Sequence, residues 1–368
     1  MKVAITGADG FIGRNLRASL SERSDVEIAA ITRASTADDL SAAIKTADAV
    51  FHLAGINRPQ NPSEFETGNT QFTARLCDAL RSAEKPVRVV FASSTQVERD
   101  NPYGKSKLAA EDHLFSCGRE SGAVIRIYRL PNVFGKWSRP NYNSAVATFC
   151  YNVSHDLPIS IHDRTSEVKL VYIDDVVSEF IRAVEQPEIA TGFGEVQPVY
   201  STTVGDLADQ IMAFREVRNT LITERVGMGL SRALYATYVS FLDPEQFAYA
   251  VPRFDDPRGS FVEVLKTVDS GQFSFFTAHP GVTRGGHYHH SKTEKFLVVK
   301  GKARFRFRHI LTNETFELPT DSANPMIVDT IPGWAHDITN IGDDEMIVML
   351  WANEVFDRQR PDTFAQAV

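Results

Sequence analysis

A change of pattern near residue 250 constrains the fold of this chain more than any other feature. Before it, short β-branched runs alternate with helical stretches, and after it strand-like runs follow one another with no long helix among them. Strand–helix alternation is typical of βαβ units with a mainly parallel sheet, and closely spaced short strands are typical of a small sandwich or barrel. The sequence therefore predicts an α/β domain over residues 1–245, a doubly wound parallel sheet, followed by an all-β domain over residues 250–368.

The individual runs support this division, with a junction predicted at Pro252–Asp256. In the first domain the strand-like runs are 2–6, 26–32, 48–54, 86–93 and 123–130, and the helical stretches are 13–22, 65–84, 104–119, 203–218 and 230–242. In the second domain the strand-like runs are 261–266, 273–279, 295–301, 303–308, 326–331 and 345–351. Because the chain shows no internal repeat and no low-complexity tract, we expect two different domains.

Composition and charge narrow the function classes. With 368 residues, 43% of them hydrophobic and 23% charged, the chain has the make-up of a soluble globular protein, which excludes a disordered or fibrous one. Its formal net charge of -8 offers no basic surface for nucleic acid or an anionic membrane. Three widely spaced cysteines, and no apolar run of the ~20 residues that a bilayer requires, predict a reduced, cytoplasmic protein.

A glycine-rich turn, Gly7–Gly13, joins the first predicted strand to the first helix. Glycines at this point allow a tight turn and a close approach of the backbone to a pyrophosphate, which binds at the N-terminus of the helix. On its own, the run also fits a tight turn that binds nothing. A dinucleotide site is therefore predicted only in combination with the residues that follow the fourth strand.

Those residues are Ser94, Tyr103 and Lys107. Tyr103 and Lys107 have the i, i+4 spacing that places two side chains on one helix face. An ammonium group beside a tyrosine lowers the phenol pKa, so the phenol can exchange a proton with a carbonyl or hydroxyl oxygen while a hydride moves to or from carbon. A serine hydroxyl can polarise the same oxygen. The alternative, an exposed tyrosine and lysine on a surface helix, is disfavoured by the glycine turn and the preceding serine.

With these motifs, the first domain resembles the extended short-chain dehydrogenase/reductases, in particular the members that act on nucleotide sugars. The segments that match are 7–13, 50–55, 91–94, 103–107, 129–135 and 171–177. The resemblance implies that Ser94, Tyr103 and Lys107 are the catalytic residues. The implied dinucleotide contacts are Gly7, Gly10, Phe11, Ile12, Gly13, Leu53, Ala54 and Gly55, together with Tyr103 and Lys107.

The residues after the second predicted strand decide between NAD and NADP in this family. They read Ile31-Thr32-Arg33, with no acidic side chain for the ribose hydroxyls, and Arg33 can pair with a 2′-phosphate. The sequence therefore favours NADPH, with a solvated loop arginine as the alternative. The stretch 34–47 is short, and in it we find no equivalent of the acidic residue that often holds the adenine in this family.

Histidine is concentrated in the second domain, where His287 and His289 are two residues apart and point to the same face of a strand. Glu294 on the adjoining strand and His336 on a distant one can converge with them inside a small barrel. Three imidazoles and a carboxylate form an ordinary ligand set for a divalent transition metal, with zinc the simplest choice. The alternative is a set of barrel histidines without a metal. His290 points the other way and becomes a ligand only if a bulge turns it inward.

The second domain resembles the cupin superfamily. The residues that match its two motifs are His287, His289, Glu294, Gly301 and His336. Three segments also resemble the 3,5-epimerases of nucleotide-linked 4-keto sugars, namely 256–263, 284–288 and 333–336. In those epimerases the histidine matching His287 is the catalytic base and no metal is needed, so the two resemblances compete for this residue. Because His289 stands where that family has glutamine, and Glu294 completes a ligand set, the sequence favours the metal.

Together the two domains resemble the bifunctional enzymes of capsular-polysaccharide and O-antigen synthesis, over nearly the whole chain. The resemblance implies a UDP-linked 2-acetamido-2,6-dideoxy-4-hexulose as substrate. The cupin domain would invert C3, and the reductase domain would reduce C4 with NADPH, giving UDP-2-acetamido-2,6-dideoxy-L-talose on the way to UDP-N-acetyl-L-fucosamine. We expect a cytoplasmic homodimer that binds neither nucleic acid nor membrane.

Two alternatives come from other function classes. One is a reductase whose cupin domain only regulates or dimerises and does not turn over substrate. The other is a non-catalytic dinucleotide-binding scaffold, which the intact set of Ser94, Tyr103 and Lys107 disfavours.

Overall fold

The computed structural model describes residues 1–61, 63–251, 253–256, 259–262, 265–267, 271–354 and 359–368. Contacts between residues divide the chain into two compact units. The first comprises Met1–Ser144 and Val168–Ser201, and the second comprises Ala145–Glu167 and Thr202–Val368. The chain therefore passes between the units more than once, and the domain boundary at residues 245–250 stays a prediction.

Short strands alternate with helices over the first two hundred residues. The strands are β1 (Lys2–Thr6), β2 (Glu27–Ile31), β3 (Ala49–His52), β4 (Arg88–Ser94), β5 (Val124–Leu130), β6 (Asn132–Phe134), β7 (Glu167–Tyr172), β8 (Gly192–Gly194) and β9 (Tyr200–Thr203). Six of them form a parallel sheet in the order β2-β1-β3-β4-β5-β8, and a smaller sheet has the order β6-β7-β9. The strand order reverses between β1 and β3, and open parallel sheets bind ligands beyond the carboxyl ends at such a point.

Helices of the first unit cover the faces of this sheet, and further helices belong to the second unit. They are α1 (Phe11–Ser21), α2 (Ala37–Lys45), α3 (Ser63–Phe65), α4 (Phe72–Arg81), α5 (Pro102–Ser121), α6 (Ala145–Ser154), α7 (Ile173–Glu185), α8 (Val204–Thr220) and α9 (Gly229–Val239), with a π-helical turn at Glu66–Gln71 and 3₁₀ turns at Thr95–Glu98 and Pro244–Gln246. Leu76, Leu114 and Ile125 belong to a buried apolar cluster between α4, α5 and the sheet. Because both sheet faces are covered, β3 is buried along its whole length.

The second unit contains two antiparallel five-stranded sheets. The remaining strands are β10 (Ile222–Thr223), β11 (Ala248–Ala250), β12 (Arg253–Asp256), β13 (Gly259–Val262), β14 (Lys266–Thr267), β15 (Gln272–Ala278), β16 (Thr283–Tyr288), β17 (Glu294–Lys300), β18 (Lys302–His309), β19 (Thr315–Asp321), β20 (Met326–Asp329), β21 (Trp334–Asn340), β22 (Met346–Ala352) and β23 (Phe364–Ala365). The sheets have the orders β11-β20-β17-β22-β15 and β19-β18-β21-β16-β23. Phe296 of one sheet packs against Phe305 of the other, with ring centroids 5.8 Å apart.

Helix α8 is joined to the β-sheets of the second unit by a buried ion cluster. Lys295 Nζ lies 2.7 Å from Asp329 Oδ1, and Arg218 of α8 donates to the same carboxylate at 3.2 Å. Burial alone would lower the pKa of Lys295, but the Asp329 charge holds it well above the ordinary value. A buried charge is tolerated when it is paired in this way, so the cluster fixes where α8 meets the sheet.

Most of the predicted elements are present, and their ends agree with the structure to within two residues for the strands of the parallel sheet. The predicted helix over 65–84 is a composite of α3, the π-helical turn and α4. The stretch 34–47, which looked short, contains helix α2, with a capping box between Thr36 and Asp39. Parts of the predicted junction at 252–256 and of the epimerase-like segment 256–263 lie outside the described residues. Among the helices described, none combines the length and apolar character needed to cross a bilayer.

Candidate functional site

The glycine turn brings the end of β1 into close contact with the loop after β3. Gly7 has a φ of 68°, and a β-carbon on it would lie 2.7 Å from the Ala54 amide nitrogen. A β-carbon on Gly13 would lie 2.3 Å from the Gly7 carbonyl oxygen. Glycine is therefore required at both positions, and the N-terminus of α1 can lie directly beyond β1. A pyrophosphate-binding turn needs this geometry.

The other predicted dinucleotide contacts lie beside this turn. Gly10 is the N-cap residue of α1 and supplies no side-chain cap. Phe11 and Ile12 open the helix, so their backbone N–H groups have no intrahelical partner. The loop Leu53–Gly55 leads from β3 towards the predicted catalytic lysine, since a β-carbon on Gly55 would lie 3.2 Å from Lys107 Nζ. The turn and the loop together line one region at the carboxyl ends of β1 and β3.

Arg33 lies in the turn that follows β2, and its side chain is exposed. The Ala8 amide donates to the Ile31 carbonyl oxygen at 3.2 Å, which joins the end of β2 to the glycine turn. Since β2 and β1 are parallel neighbours, the Arg33 turn and the glycine turn both lie at the carboxyl ends of the strands. This location is compatible with a contact to the adenosine ribose of a bound dinucleotide.

Tyr103 lies in the first turn of α5, which begins at Pro102 because the Asn101 side chain caps it by accepting from the Gly104 amide at 2.8 Å. Ser94 ends β4 and caps the 3₁₀ turn that follows. Burial raises the pKa of Tyr103, and a hydrogen bond with the Ser94 side chain opposes this rise. The two predicted catalytic hydroxyl groups therefore lie close enough to influence one another.

Lys107 is buried one helical turn after Tyr103. Its Nζ donates to the Ala92 carbonyl oxygen at 2.8 Å and lies 4.6 Å from the centre of the Phe91 ring. The pKa of Lys107 is lowered to about 8, because the effect of burial is larger than the opposing effect of the Glu111 charge. The ammonium group is held by β4 on the helix face that carries Tyr103.

Glu111 was not found by the sequence reasoning. It is buried one further turn along α5, and its carboxylate accepts two parallel hydrogen bonds from Arg129, at 2.7 Å from Nη2 to Oε2 and 3.1 Å from Nε to Oε1. The Ser93 hydroxyl donates to the same carboxylate. Glu111 therefore ties α5 to β4 and β5 next to Lys107. Its four-residue spacing from Lys107 was visible in the sequence, but its partners were not.

Asn69 is a second residue that the sequence reasoning missed. Its side chain accepts from the Ile56 amide at 2.7 Å and donates to the Ser106 hydroxyl at 2.9 Å and the Ile56 carbonyl oxygen at 3.0 Å. It thus connects the loop after β3 to α5. Asn69 lies in the π-helical turn, a rare conformation that no local pattern predicted.

The second candidate site is formed by four residues of the β-sheets. The side chains of His287, His289, Glu294 and His336 each offer one ligand atom, and these atoms all lie within 4.8 Å of one another. His287 and His336 are opposite one another on β16 and β21, while Glu294 begins β17 in the other sheet. The structure therefore brings together the whole predicted ligand set.

The hydrogen bonds within the cluster do not use all of its nitrogen and oxygen atoms, so some remain available to bind a metal. His289 Nε2 is 3.0 Å from Glu294 Oε2, and His336 Nε2 is 3.6 Å from the same oxygen. Both ring nitrogens of His336 are buried, and neither makes a hydrogen bond among the described residues. Such atoms are costly in an apolar interior unless they bind something. Three imidazoles, one of them the unsatisfied ring of His336, and a carboxylate together fit a divalent transition metal.

The electrostatics of the cluster favour neutral rings for His287 and His336 beside an ionised carboxylate. Burial lowers the pKa of His287 to about 3, with His336 and His289 adding to the effect. Burial also lowers the pKa of His336. Although burial opposes ionisation of Glu294, the hydrogen bond with His289 and the nearby ring of His336 hold its pKa well below the ordinary value. Neutral imidazole and carboxylate are the forms that bind metals.

His290 does not belong to the cluster. Its ring contacts Phe364, with centroids 5.0 Å apart, and also contacts Tyr288. A bulge does occur in β16, but it lies between Gly285 and His287 and does not turn His290 towards the cluster. The described geometry therefore favours a ligand set without His290.

Family models match both parts of the chain. One, described as Polysaccharide biosynthesis C-terminal domain, matches residues 254–364. The other, described as NAD dependent epimerase/dehydratase family, matches residues 3–193, more than half of the chain. The chain belongs to the NAD dependent epimerase/dehydratase family. Members of the NAD dependent epimerase/dehydratase family use a nicotinamide cofactor, and the matched range includes the glycine turn, Ser94, Tyr103 and Lys107.

Two relatives match this chain over its whole length. A Pseudomonas aeruginosa strain PA103 protein, UDP-2-acetamido-2,6-beta-L-arabino-hexul-4-ose reductase, is 57% identical over 368 residues, 100% of this chain and 99% of that protein. The crystal structure of the capsular polysaccharide assembling protein CapF from Staphylococcus aureus is 40% identical, with a TM-score of 0.68, and the match covers 100% of both chains. These two matches confirm the predicted resemblance to the capsular-polysaccharide enzymes.

A more distant structure agrees in fold. The UDP-glucuronic acid 4-epimerase of Bacillus cereus, solved in complex with NAD, is 21% identical with a TM-score of 0.52, over 58% of this chain and 83% of that one. The predicted fold class, a Rossmann-type parallel sheet followed by antiparallel β-sheets, is thus confirmed. The roles of individual site residues in this member of the NAD dependent epimerase/dehydratase family stay predictions, although each predicted set is brought together in space.

Proposed function

We propose that this protein is a bifunctional nucleotide-sugar enzyme. A cupin domain over residues 250–368 inverts C3 of a UDP-2-acetamido-2,6-dideoxy-4-hexulose. A short-chain dehydrogenase/reductase domain over residues 1–245 then reduces the C4 carbonyl with NADPH, giving UDP-2-acetamido-2,6-dideoxy-L-talose. The observation that carries the proposal is the presence on one chain of two complete clusters, one built around Tyr103 and Lys107 and the other around His287 and Glu294.

The relatives support this substrate class. The Pseudomonas relative bears the name of a reductase of a UDP-linked 4-hexulose, and it aligns with this chain from end to end. The Staphylococcus protein is named for capsular polysaccharide assembly. These names and the two clusters support a place in polysaccharide synthesis, which we propose to be on the way to UDP-N-acetyl-L-fucosamine.

The reductase step uses the residues of α5 and β4. A bound nicotinamide cofactor supplies the hydride to C4. Tyr103 donates its phenolic proton to the carbonyl oxygen, and the nearby Ser94 hydroxyl donates a hydrogen bond to the same oxygen. Lys107 provides a positive charge one turn away, which favours the phenolate left after proton transfer. The fixed hydrogen bond from Lys107 to the Ala92 carbonyl oxygen keeps that charge in place.

The epimerase step relies on the acidity of the carbon next to a carbonyl. The C4 carbonyl acidifies the C3 proton because the carbanion formed is an enolate. A base on one face removes the proton and a donor on the other face returns one, which inverts the carbon. His287, the most exposed member of the cluster, either removes this proton or acts as a ligand.

We further propose that His287, His289, Glu294 and His336 hold zinc or another divalent transition metal. Such an ion would stabilise negative charge on the substrate oxygen by acting as a Lewis acid. Support comes from the donor set and from the buried, unsatisfied ring of His336. The protein is expected to work as a cytoplasmic homodimer.

Product analysis tests the proposed function directly. The UDP-linked 4-hexulose would be incubated with the protein, with and without NADPH, and the sugar would be identified by NMR. We expect the L-talo product with NADPH, and a C3-inverted 4-keto sugar without it. A reduced sugar with the original C3 configuration would support the alternative, a reductase whose cupin domain only regulates or dimerises.

Cofactor choice can be tested at Arg33. Arg33→Ala should weaken NADPH binding far more than NADH binding, because the guanidinium is predicted to pair with the 2′-phosphate, which NADH lacks. Dissociation constants for both cofactors can be measured by fluorescence titration. Arg119→Ala is the matched control, since this exposed arginine near the end of α5 should leave both constants unchanged. Equal weakening of the two cofactors by Arg33→Ala would mean that this side chain does not contact the 2′-phosphate.

Metal binding can be tested by removing single ligands. Glu294→Gln, which preserves side-chain volume, and His336→Ala should each lower the zinc content of the purified protein, because the donors act as one set. Elemental analysis measures the metal, and His290→Ala is the control that should retain it. Full zinc occupancy in both ligand variants would show that the ion binds elsewhere.

A further inference from the structure

The C-terminal segment of the chain, residues 362–367, lies against the strand that carries part of the histidine cluster. Within it, β23 pairs with β16, so that Ala365 is opposite His287 and Phe364 is opposite Tyr288. The Gln366 amide donates to the Gly286 carbonyl oxygen at 2.8 Å. This segment therefore forms the edge of the sheet next to the cluster.

Asp362, at the start of this segment, binds the bend between His289 and Glu294. Its carboxylate accepts hydrogen bonds from three consecutive backbone amides, those of His290 at 2.8 Å, Ser291 at 2.7 Å and Lys292 at 2.6 Å. The Ser291 hydroxyl also donates to it, at 3.1 Å. One carboxylate thus fixes the backbone conformation of the residues that connect two members of the cluster.

The backbone of Asp362 makes a separate contact with the cluster. Its carbonyl oxygen is hydrogen-bonded to His289 Nδ1. A carbonyl oxygen can only accept, so Nδ1 carries a proton, and Nε2 is the nitrogen that remains for the cluster. That Nε2 is the atom 3.0 Å from Glu294 Oε2. The contact therefore selects the tautomer of His289 in which the nitrogen that faces the cluster can bind a cation.

We propose that Asp362 is a positioning residue for the metal site, acting through His289 and the bend to Glu294. It sets both the ring orientation of His289 and the spacing between the two ligands. This inference rests on the proposed metal site. Removal of a group that orients metal ligands typically changes metal affinity 10–100-fold, and here that group is the Asp362 carboxylate that fixes the bend. Asp362 lies 73 residues from His289 along the chain, so the contact comes from a segment distant in sequence.

The test compares metal affinity in two variants of the full chain. Asp362→Ala removes the carboxylate, and with it the hydrogen bonds that fix the bend, but it keeps the backbone carbonyl group that contacts His289. Asp362→Asn keeps the volume and one acceptor oxygen, and it is the test variant if the alanine variant fails to fold. The dissociation constant for Zn²⁺ would be measured by competition with a chromophoric chelator. We expect affinity to fall about 10–100-fold in Asp362→Ala and by a smaller factor in Asp362→Asn.

A second readout separates positioning from general stability. Co²⁺ bound in place of Zn²⁺ has a visible spectrum that depends on ligand geometry, and we expect this spectrum to change in Asp362→Asn. Asp321→Asn is the matched control, because Asp321 also accepts two backbone amides, at 2.8 and 2.9 Å, in the loop after β19. Asp321 is roughly 17 Å along β19 from Phe316. Phe316 pairs with Phe307, and Phe307 in turn is opposite His336 of the cluster. The control should keep wild-type affinity and spectrum.

The outcomes distinguish this inference from the proposal it depends on. A wild-type protein that binds no stoichiometric Zn²⁺ would overturn both the metal site and the role of Asp362. A wild-type protein that binds Zn²⁺, with Asp362 variants of unchanged affinity and unchanged Co²⁺ spectrum, would overturn the role of Asp362 alone. Equal losses in the Asp362 and Asp321 variants would also reject it, because the loss would then reflect weakened loops in general.

Discussion

Tyr103→Phe is expected to lower the rate of C4 reduction by ~10²–10⁴-fold, the usual effect of losing a general acid. The substitution removes the hydroxyl near Ser94, but it keeps the ring, whose centroid is 5.7 Å from that of the Phe65 ring. NADPH binding should therefore be retained. The measurement is the initial rate of NADPH oxidation with the UDP-linked 4-hexulose, beside a titration of NADPH binding.

Tyr151→Phe provides the control for this experiment. Tyr151 is half-buried in α6 and stacks on His155 in the second unit, so loss of its hydroxyl should not alter reduction. A Tyr103→Phe protein that oxidises NADPH at the wild-type rate would refute the catalytic assignment. If the Tyr103→Phe variant no longer bound NADPH, the lower reduction rate would be explained by a folding defect or a damaged cofactor site.

The first site was predictable to the extent that its residues follow local patterns. The glycine turn and the spacing of Tyr103 and Lys107 depend on one turn and one helix, so the sequence was sufficient to find them. Glu111 has the same spacing, but its role depends on Ser93 and Arg129, which approach it only when β4 and β5 pair. Its burial, and so its effect on Lys107, could not be deduced without the sheet order.

The stretch 34–47 shows a signal that was present but not used. Thr36 and Asp39 form a capping box, and Leu40 and Ile44 are a buried pair four residues apart. These are ordinary markers of a helix start and of its apolar face. The helix α2 was therefore within reach of the sequence, in contrast to the π-helical turn that carries Asn69.

The histidine spacing predicted the second site correctly as a cluster, but the backbone at His289 differs from the strand that the prediction assumed. The prediction placed His287 and His289 on one strand, but β16 ends at Tyr288 and His289 lies just beyond it. The rings still converge, 5.1 Å apart, because Asp362 holds the bend that follows His289. The contribution of Asp362 was not predictable, since nothing near residue 362 marks it as a partner of the histidine pair.

The proposed order of the two steps leads to a prediction with an all-or-none result. C3 inversion needs the C4 carbonyl, and reduction removes that carbonyl, so inversion must come first. Wild-type protein given substrate and NADPH in deuterium oxide should return a reduced sugar carrying deuterium at C3. Tyr103→Phe should still exchange the C3 proton with solvent, because its β-sheets and histidine cluster are unchanged. Mass spectrometry and proton NMR of the sugar measure both effects.

His287→Ala should abolish this exchange, whether His287 binds the metal or removes the C3 proton. NADPH binding, measured by titration, should be unchanged, since the cofactor residues belong to the first unit and His287 to the second. Any sugar that this variant reduces should keep its original C3 configuration, because reduction needs only the C4 carbonyl. If wild-type protein instead gave the reduced sugar in full yield with C3 wholly protiated, inversion would not precede reduction. The C-terminal β-sheets would then have a structural role, and the chain would be a reductase alone.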